Sequence, residues 1–323
     1  GIPQSVDGVP FLGYDWYEQK DHERNVSYGY ADRFDEKYDM VRSVRKGKYK
    51  YIRNFHSYLV DALRNNYRFQ MLAYQEWENL YRHGALNETQ SGFFQLRPSE
   101  MLFELESDPF ETRNLAEDPA YREILSEMRQ LLNQWITSMP DLSFVPEFEF
   151  LQKGWMDPVE FGQRNQENID TYLTIANLAL GEQDEVRKPL IKALKSGDPW
   201  QRYWAMNAGI VLDENNRRII RRIRNITLSD PIPLNRAQAA LYLALKKGEN
   251  PTTVLLNALY NTKYPAEGLQ ILNLIVLMQD WSEFLIQGLA SSYDIIVDTQ
   301  KLQTAVREEP QVQRRLEYLG ILD

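Results

Sequence analysis

The sequence contains no cysteine in its 323 residues. This absence excludes disulfide bonds, thiolate metal sites and a cysteine nucleophile within the chain, and it leaves the redox compartment unreadable. Histidine is also scarce, since only His22, His56 and His83 occur, too far apart in sequence to indicate a metal cluster. No apolar run approaches the length of a membrane span, so we expect no segment that crosses a bilayer.

Positive charge is in deficit, because the formal net charge is -9. Nucleic acid is therefore not expected as a partner, since binding to a phosphate backbone normally requires a basic face. The composition, with 43% hydrophobic and 26% charged residues, is typical of a globular protein. A chain of this length predicts two domains. It opens at Gly1 without an initiator Met, which indicates a piece of a longer protein.

A β-hairpin is the clearest local structure that the sequence predicts. Residues 40–45 alternate apolar and polar side chains, Lys46 and Gly47 supply a tight turn, and residues 49–54 form a second β-rich run. Shorter strands are predicted over 26–30, 91–94 and 101–105, with a charged turn over 32–37. Apolar side chains at helical spacing predict helices over 61–84 and 119–138. These elements predict a small antiparallel sheet covered by helices.

The second half of the chain has a helical pattern almost throughout. Helices are predicted over 169–180, 186–195, 200–212, 217–226, 234–246, 252–260, 266–278 and 281–290. Leu190 and Leu194 recur as Leu255 and Leu259, two periods of about thirty-odd residues later. That period is typical of paired-helix solenoids, and the HEAT-type repeat fits best. The predicted fold class is therefore α+β, with residues 1–138 as an α+β domain, 139–165 as an ordered linker and 166–323 as a HEAT-like helical domain.

Three stretches of the sequence, taken in their order along the chain, resemble the pattern of a known family. They are GIPQ with GVPFLG in residues 1–13, YDMVRSVR with KYKYIRN in residues 38–54, and RPSEMLFELESDPFETRNLA in residues 97–116. Together they resemble the C-terminal subdomain of the sulfatase family over roughly residues 1–150. The resemblance implies that the parent protein is a sulfuric ester hydrolase, acting on a sulfated carbohydrate and exported or periplasmic.

The resemblance also implies a catalytic centre with a formylglycine, made from a Cys or Ser in a C/S-x-P-x-R motif, beside a calcium ion. The sequence does not contain that motif. Residues 107–111 and 229–233 both have the Ser and the Pro, but Glu111 and Pro233 stand where Arg is required. Both stretches are predicted to be turns, since Asp-Pro favours turn initiation. We therefore expect the formylglycine and calcium to lie in an N-terminal catalytic domain of the parent, and this chain alone to be inactive.

Arg33 and His56 are the candidate contacts to substrate. Arg33 matches a basic position of the family, and a guanidinium can offer a forked pair of hydrogen bonds to sulfate oxygens. The alternative is a salt bridge to Asp32, Asp35 or Glu36. His56 follows the end of the hairpin, where a side chain can reach a cleft shared with the catalytic domain. A structural, hydrogen-bonded histidine is the alternative.

The only strong basic cluster of the helical half contains Arg217, Arg218, Arg221, Arg222 and Arg224, and Arg217, Arg221 and Arg224 share one helix face. The functional interpretation is an auxiliary contact to a sulfated polymer, and the alternative is a solvated face paired with nearby acids. For the whole chain the alternative to a sulfatase part is a non-catalytic module, in which the concave surface of the repeats binds a partner protein. The sequence upstream of Gly1 distinguishes the two.

Overall fold

An antiparallel sheet is the first architectural unit of the part of the chain that the structure describes. The computed structural model describes residues 25–212 and 216–322. Four strands pair in the order β1 (Val26–Phe34), β2 (Lys37–Lys46), β3 (Tyr49–Asn54) and β4 (Glu100–Glu104). Gly47 turns the chain between β2 and β3 with φ 57°, a left-handed conformation that glycine adopts without strain. The predicted hairpin is confirmed, whereas the predicted turn over 32–37 is shorter because β1 continues to Phe34.

The helices that follow the sheet are α1 (Asn66–Phe69), α2 (Leu72–Arg82), α3 (Glu88–Ser91) and α4 (Arg122–Ser138). α4 covers the sheet by burying Leu125, Met128, Leu132 and Ile136, and it contacts β2 and β3. The predicted strand over 91–94 is wrong. These residues end α3 and form a 3₁₀ turn (Gly92–Phe94), in which Phe94 is fully buried among other aromatic rings.

Residues 139–165 contain a 3₁₀ turn (Leu142–Phe144) and two short helices, α5 (Glu147–Lys153) and α6 (Pro158–Arg164). Phe144 is fully buried, with its ring centroid 5.1 Å from those of Phe55 and Trp204. The indole Nε1 of Trp204 donates to the carbonyl of Phe144 at 2.8 Å. This segment is therefore part of the core between the sheet and the helical half.

Nine further helices follow in the described part of the chain, and the first seven of them alternate between two layers. They are α7 (Gln166–Ala176), α8 (Gln183–Leu194), α9 (Pro199–Val211), α10 (Arg217–Ser229), α11 (Pro233–Lys247), α12 (Thr252–Asn261), α13 (Pro265–Leu285), α14 (Thr304–Arg307) and α15 (Pro310–Tyr318). In the inner layer α7 contacts α9, α9 contacts α11 and α11 contacts α13. The outer layer contains α8, α10 and α12, and α8 contacts α10.

α13 is one continuous helix of 21 residues, so the predicted break between residues 278 and 281 is wrong. The helix is buried on nearly all sides from Glu267 to Met278. A helix buried all round has no polar face, and its hydrophobic pattern therefore loses the period from which its bounds were predicted.

The inner layer packs directly on the sheet. α13 contacts β2, and the Asn273 amide donates to the carbonyl of Glu36 at 2.9 Å. Arg53 at the end of β3 donates to the carbonyl of Ala176 at 2.9 Å. The buried apolar residues of both halves form one continuous core, and the α+β class is as predicted. Among the residues described, no helix combines the length and the apolar character that crossing a bilayer requires.

Candidate functional site

A pocket of about 400 Å³ opens beside Arg33 at the end of β1. The pocket lies where β1 meets α5, the start of α13 and the start of α15. Its apolar wall contains Phe148 and Tyr264, whose rings stack with centroids 5.6 Å apart and planes 17° apart. The polar groups of its wall are Arg33, Glu147, Gln152, Glu309 and Gln311. An apolar wall with a few convergent polar groups is typical of a small-ligand site.

Arg33 is held in this pocket by contacts that are distant in sequence. Its Nε donates to Oε1 of Glu147 at 2.8 Å, Nη2 contacts the other oxygen of that carboxylate, and Nη1 donates to Gln311 Oε1 at 3.0 Å. Nη1 also donates to the carbonyl of Asp35 at 3.2 Å. These contacts engage all but one of the five N–H donors of the guanidinium. A sulfate in the pocket would therefore compete with Glu147 or Gln311 for Arg33.

The structure pairs Arg33 with Glu147 and not with the carboxylates of Asp32, Asp35 or Glu36. No sequence signal connects Arg33 with Glu147 or Gln311, because both partners lie on later elements. Asp32 instead takes part in a second buried group that sequence reasoning missed. Arg42 is only 2% exposed and forms a forked pair with Asp141 at 2.6 and 2.9 Å and an ion pair with Asp32 at 2.7 Å.

His56 is packed between the sheet and the inner helix layer and is 2% exposed. Its Nε2 lies 3.1 Å from the hydroxyl of Tyr203, and its ring stacks on Trp204 with centroids 5.5 Å apart. Nδ1 has no hydrogen-bond partner in the described part of the chain. Burial lowers the pKa of His56 to about 4, so the imidazole is neutral at pH 7. It borders a cavity of only about 20 Å³.

Arg33 and His56 both lie near the ring of Tyr38 but border different pockets. The guanidinium carbon of Arg33 is 5.9 Å from the ring centroid of Tyr38, and the His56 ring is 5.8 Å from the same centroid. Of the two predicted contacts, Arg33 therefore borders open space, whereas His56 is enclosed by Tyr203 and Trp204.

The predicted basic cluster divides into two parts on α10. Arg217 and Arg221 border a groove of about 500 Å³ together with Arg218, Arg222 and residues at the end of α8. Arg224 does not border this groove, and its Nε donates to Glu249 at 3.2 Å. The contact predicted from the sequence was the face of Arg217, Arg221 and Arg224, with Arg218 and Arg222 in the same cluster, and it did not include Lys195. Sequence spacing indicates the arginines, which lie on one helix, but not Lys195, which directly follows α8.

The two serine motifs form ordinary local structure. Ser107 donates to the carboxylate of Glu104, and Asp108 accepts from the backbone N–H of Arg113 at 2.8 Å, which closes a turn. Ser229 ends α10 and donates to the carbonyl of Asn225 at 2.9 Å. Within residues 25–212 and 216–322, no three His, Asp or Glu side chains are grouped so that they could hold a metal ion. The described side chains thus offer no group that fits calcium, and neither serine lies in the motif from which formylglycine is made.

Comparison with known proteins finds relatives for slightly less than half of the chain. No family model matches it. A protein of Formosa agariphila named ulvan-active sulfatase is 39% identical over 151 residues, which are 46% of this chain and 25% of that protein. A second protein of the same name and organism is 28% identical over 146 residues, 44% of this chain and 26% of that protein. The chain thus spans about a quarter of the length of these curated relatives. It contains a sulfatase-related region.

Proposed function

We propose that this chain is the C-terminal part of a sulfatase that hydrolyses a sulfate ester of a carbohydrate. The observation that carries the proposal is the 39% identity over 151 residues with a protein named ulvan-active sulfatase. The three sequence stretches that resemble the C-terminal subdomain of sulfatases support it. The sulfatase-related part is then the sheet with its covering helix α4, and the rest of the enzyme precedes it in a longer chain.

The division into domains forms part of the same proposal. Residues 1–138 would complete the catalytic fold, residues 139–165 would connect the two parts, and residues 166–323 would form a HEAT-like repeat domain. The two-layer order of α7 to α13 supports the repeat assignment, since alternate helices fall in alternate layers. The recurring leucine pairs also lie on equivalent helices, because Leu190 and Leu194 are on α8 while Leu255 and Leu259 are on α12.

The catalytic centre belongs, in this proposal, to the N-terminal domain of the parent protein. Calcium and formylglycine would be supplied there, because the sequence of this chain contains no C/S-x-P-x-R motif. A formylglycine supplies a nucleophile for sulfur, and a divalent cation offsets charge on the sulfate oxygens. The role left to this chain is to bind and orient the substrate.

Arg33 is the residue to which we assign that role first. Its pocket combines a guanidinium with the stacked rings of Phe148 and Tyr264, so it offers a cation for sulfate beside an apolar wall. Glu147 holds the guanidinium in place and would be the group with which sulfate competes. His56 remains a proposed contact as well, but the Tyr203 and Trp204 side chains must move before it can reach a substrate.

The test is steady-state kinetics of the longer enzyme on its polysaccharide. We expect Arg33→Ala to lower kcat/KM by roughly ten- to a hundredfold, since a hydrogen bond to a charged group contributes about 1.5 to 3 kcal/mol. Arg45→Ala serves as the control, because Arg45 is an exposed arginine on the neighbouring strand. His56→Ala is measured in parallel, with melting temperatures for all variants.

Two outcomes would count against the proposal. Unchanged kcat/KM in Arg33→Ala and His56→Ala would show that this part of the enzyme is only a scaffold. A gene in which neither the C/S-x-P-x-R motif nor the acidic calcium ligands precede Gly1 would remove the sulfatase assignment itself.

A further inference from the structure

The outer helix layer presents a groove lined by positive side chains. On α10 the groove is bordered by Arg217, Arg218, Arg221, Arg222 and Asn225, and on the α8 side by Ile191 and Lys195. Its volume of about 500 Å³ lies within the range of small-ligand sites. Arg217, Arg218, Arg221 and Lys195 are all exposed. The positive side chains thus stand together on a chain whose net charge is -9.

These cations are not balanced by acids of the described chain. None of the ion pairs between described residues includes Lys195, Arg217, Arg218 or Arg221, whereas Arg224 on the same helix pairs with Glu249. Like charges four residues apart destabilise a helix. The cluster therefore acts against the stability of α10, whose fold depends on the buried face of Ile219, Ile220, Ile223 and Ile226. An anionic ligand would remove that repulsion.

The groove is also held in shape. Arg222 Nε donates to the carbonyl of Leu194 at 2.9 Å, which ties α10 to the last turn of α8. The Asn216 side chain accepts from the backbone N–H of Arg218 and fixes the start of α10. The arginines at 217, 218 and 221 are thus carried on a helix whose position relative to α8 is fixed, and their guanidiniums offer the forked donors that match sulfate oxygens.

We infer that this groove is an accessory binding site for sulfate groups of a polysaccharide. The inference rests on the proposed function and extends it. The groove shares no residue with the Arg33 pocket, so it is a second point of attachment and not a part of the first. A polymer held there has a raised effective concentration at the rest of the enzyme. A nucleic acid is the alternative occupant, and the sulfatase-related region of the chain favours the polysaccharide over it.

The binding experiment uses the 323-residue chain with dextran sulfate, unsubstituted dextran and a DNA oligonucleotide of matched charge. Titration calorimetry should show binding of dextran sulfate, weaker binding of DNA and none of dextran. In the double variant Arg218→Ala with Arg221→Ala, we expect Kd for dextran sulfate to rise about tenfold or more. Arg224→Ala is the matched control and should leave Kd unchanged, because Arg224 does not border the groove.

A second variant separates charge from geometry and guards against misfolding. Arg218→Lys with Arg221→Lys keeps both charges but removes the guanidinium fork, and we expect it to bind between the parent and the alanine variant. Equal Kd in the parent and the alanine variant would overturn the site, and DNA binding as tight as dextran sulfate would overturn the sulfate assignment. Turnover of a small aryl sulfate by the longer enzyme should be unaffected by these changes. If the unsubstituted longer enzyme does not turn over the aryl sulfate, the proposed function itself is refuted.

Discussion

His56 makes the chain sensitive to acid through a single buried side chain. Its pKa is about 4 in the folded protein, because burial disfavours the charged ring, against 6.5 for an unperturbed histidine. The unfolded chain therefore binds more protons between these two values. The contribution of neutral His56 to the free energy of unfolding is fully present above pH 6.5. It is lost as the pH falls from 6.5 through about 4, and the total loss is about 3 kcal/mol.

The test is urea unfolding of the parent chain and of His56→Gln at several pH values between 7 and 4. We expect the variant to be less stable at pH 7 but to lose about 3 kcal/mol less on acidification. His83→Gln is the control, since His83 lies on the surface. A variant that follows the same pH dependence as the parent would show that His56 does not remain neutral in the folded state.

At the same scale, the sequence could indicate which residues carry suitable chemistry but not their surroundings. Arg33 could be singled out because arginine suits sulfate, yet its partners Glu147 and Gln311 lie 114 and 278 residues away. Local patterns hold no information about such contacts. The burial of His56 could not be predicted from the sequence either, because the residues that enclose it, Tyr203 and Trp204, lie much later in the chain, on α9.

Among the elements, α15 is short but is held by apolar burial, an ion pair and a hydrogen bond together. It buries Val312, Arg315 and Leu316, Arg314 pairs with Asp35 at 2.9 Å, and Tyr318 donates to Asp280 at 2.8 Å. These contacts fix a helix of nine residues against the turn between β1 and β2 and against α13.

We expect Leu316→Ala to lower the free energy of unfolding by about 2 to 5 kcal/mol, because it leaves a cavity in the core. Glu317→Ala changes the exposed neighbour and should alter stability by less than about 0.5 kcal/mol. Chemical denaturation of both variants is the measurement. Similar stability losses in the two would mean that α15 is not docked as described.

The elements themselves were predictable where one face is buried and the other solvated. The hairpin of β2 and β3 and the helix α4 follow the sequence pattern closely, because each alternates between core and solvent. The pattern failed at 91–94, where aromatic residues with a β-like composition pack in a 3₁₀ turn, and within α13, which is buried on nearly all sides from Glu267 to Met278.

For the whole molecule, the continuous core predicts one unfolding transition. Phe144 of the connecting segment packs on Phe55 from the sheet half and on Trp204 from the helical half, so neither half keeps a complete core alone. We expect calorimetry to show a single peak whose van't Hoff and calorimetric enthalpies agree. Two resolved peaks would show that residues 1–138 and 166–323 unfold as separate domains. Trp204→Phe and the exposed Trp155→Phe provide a matched pair of core and surface variants.

The contacts between α15 and the turn of β1 and β2 set the order in which the chain can reach its native state. Arg33 meets Gln311 across 278 residues, and Arg314 meets Asp35 across 279. Closing the loop between the β1–β2 turn and α15 is slow, because its entropic cost arises before the stabilising contacts between its ends can form. During synthesis on the ribosome, β1 and β2 would emerge long before α15 does. Gln311, the partner of Arg33 on α15, thus becomes available only after translation has proceeded 278 residues beyond Arg33.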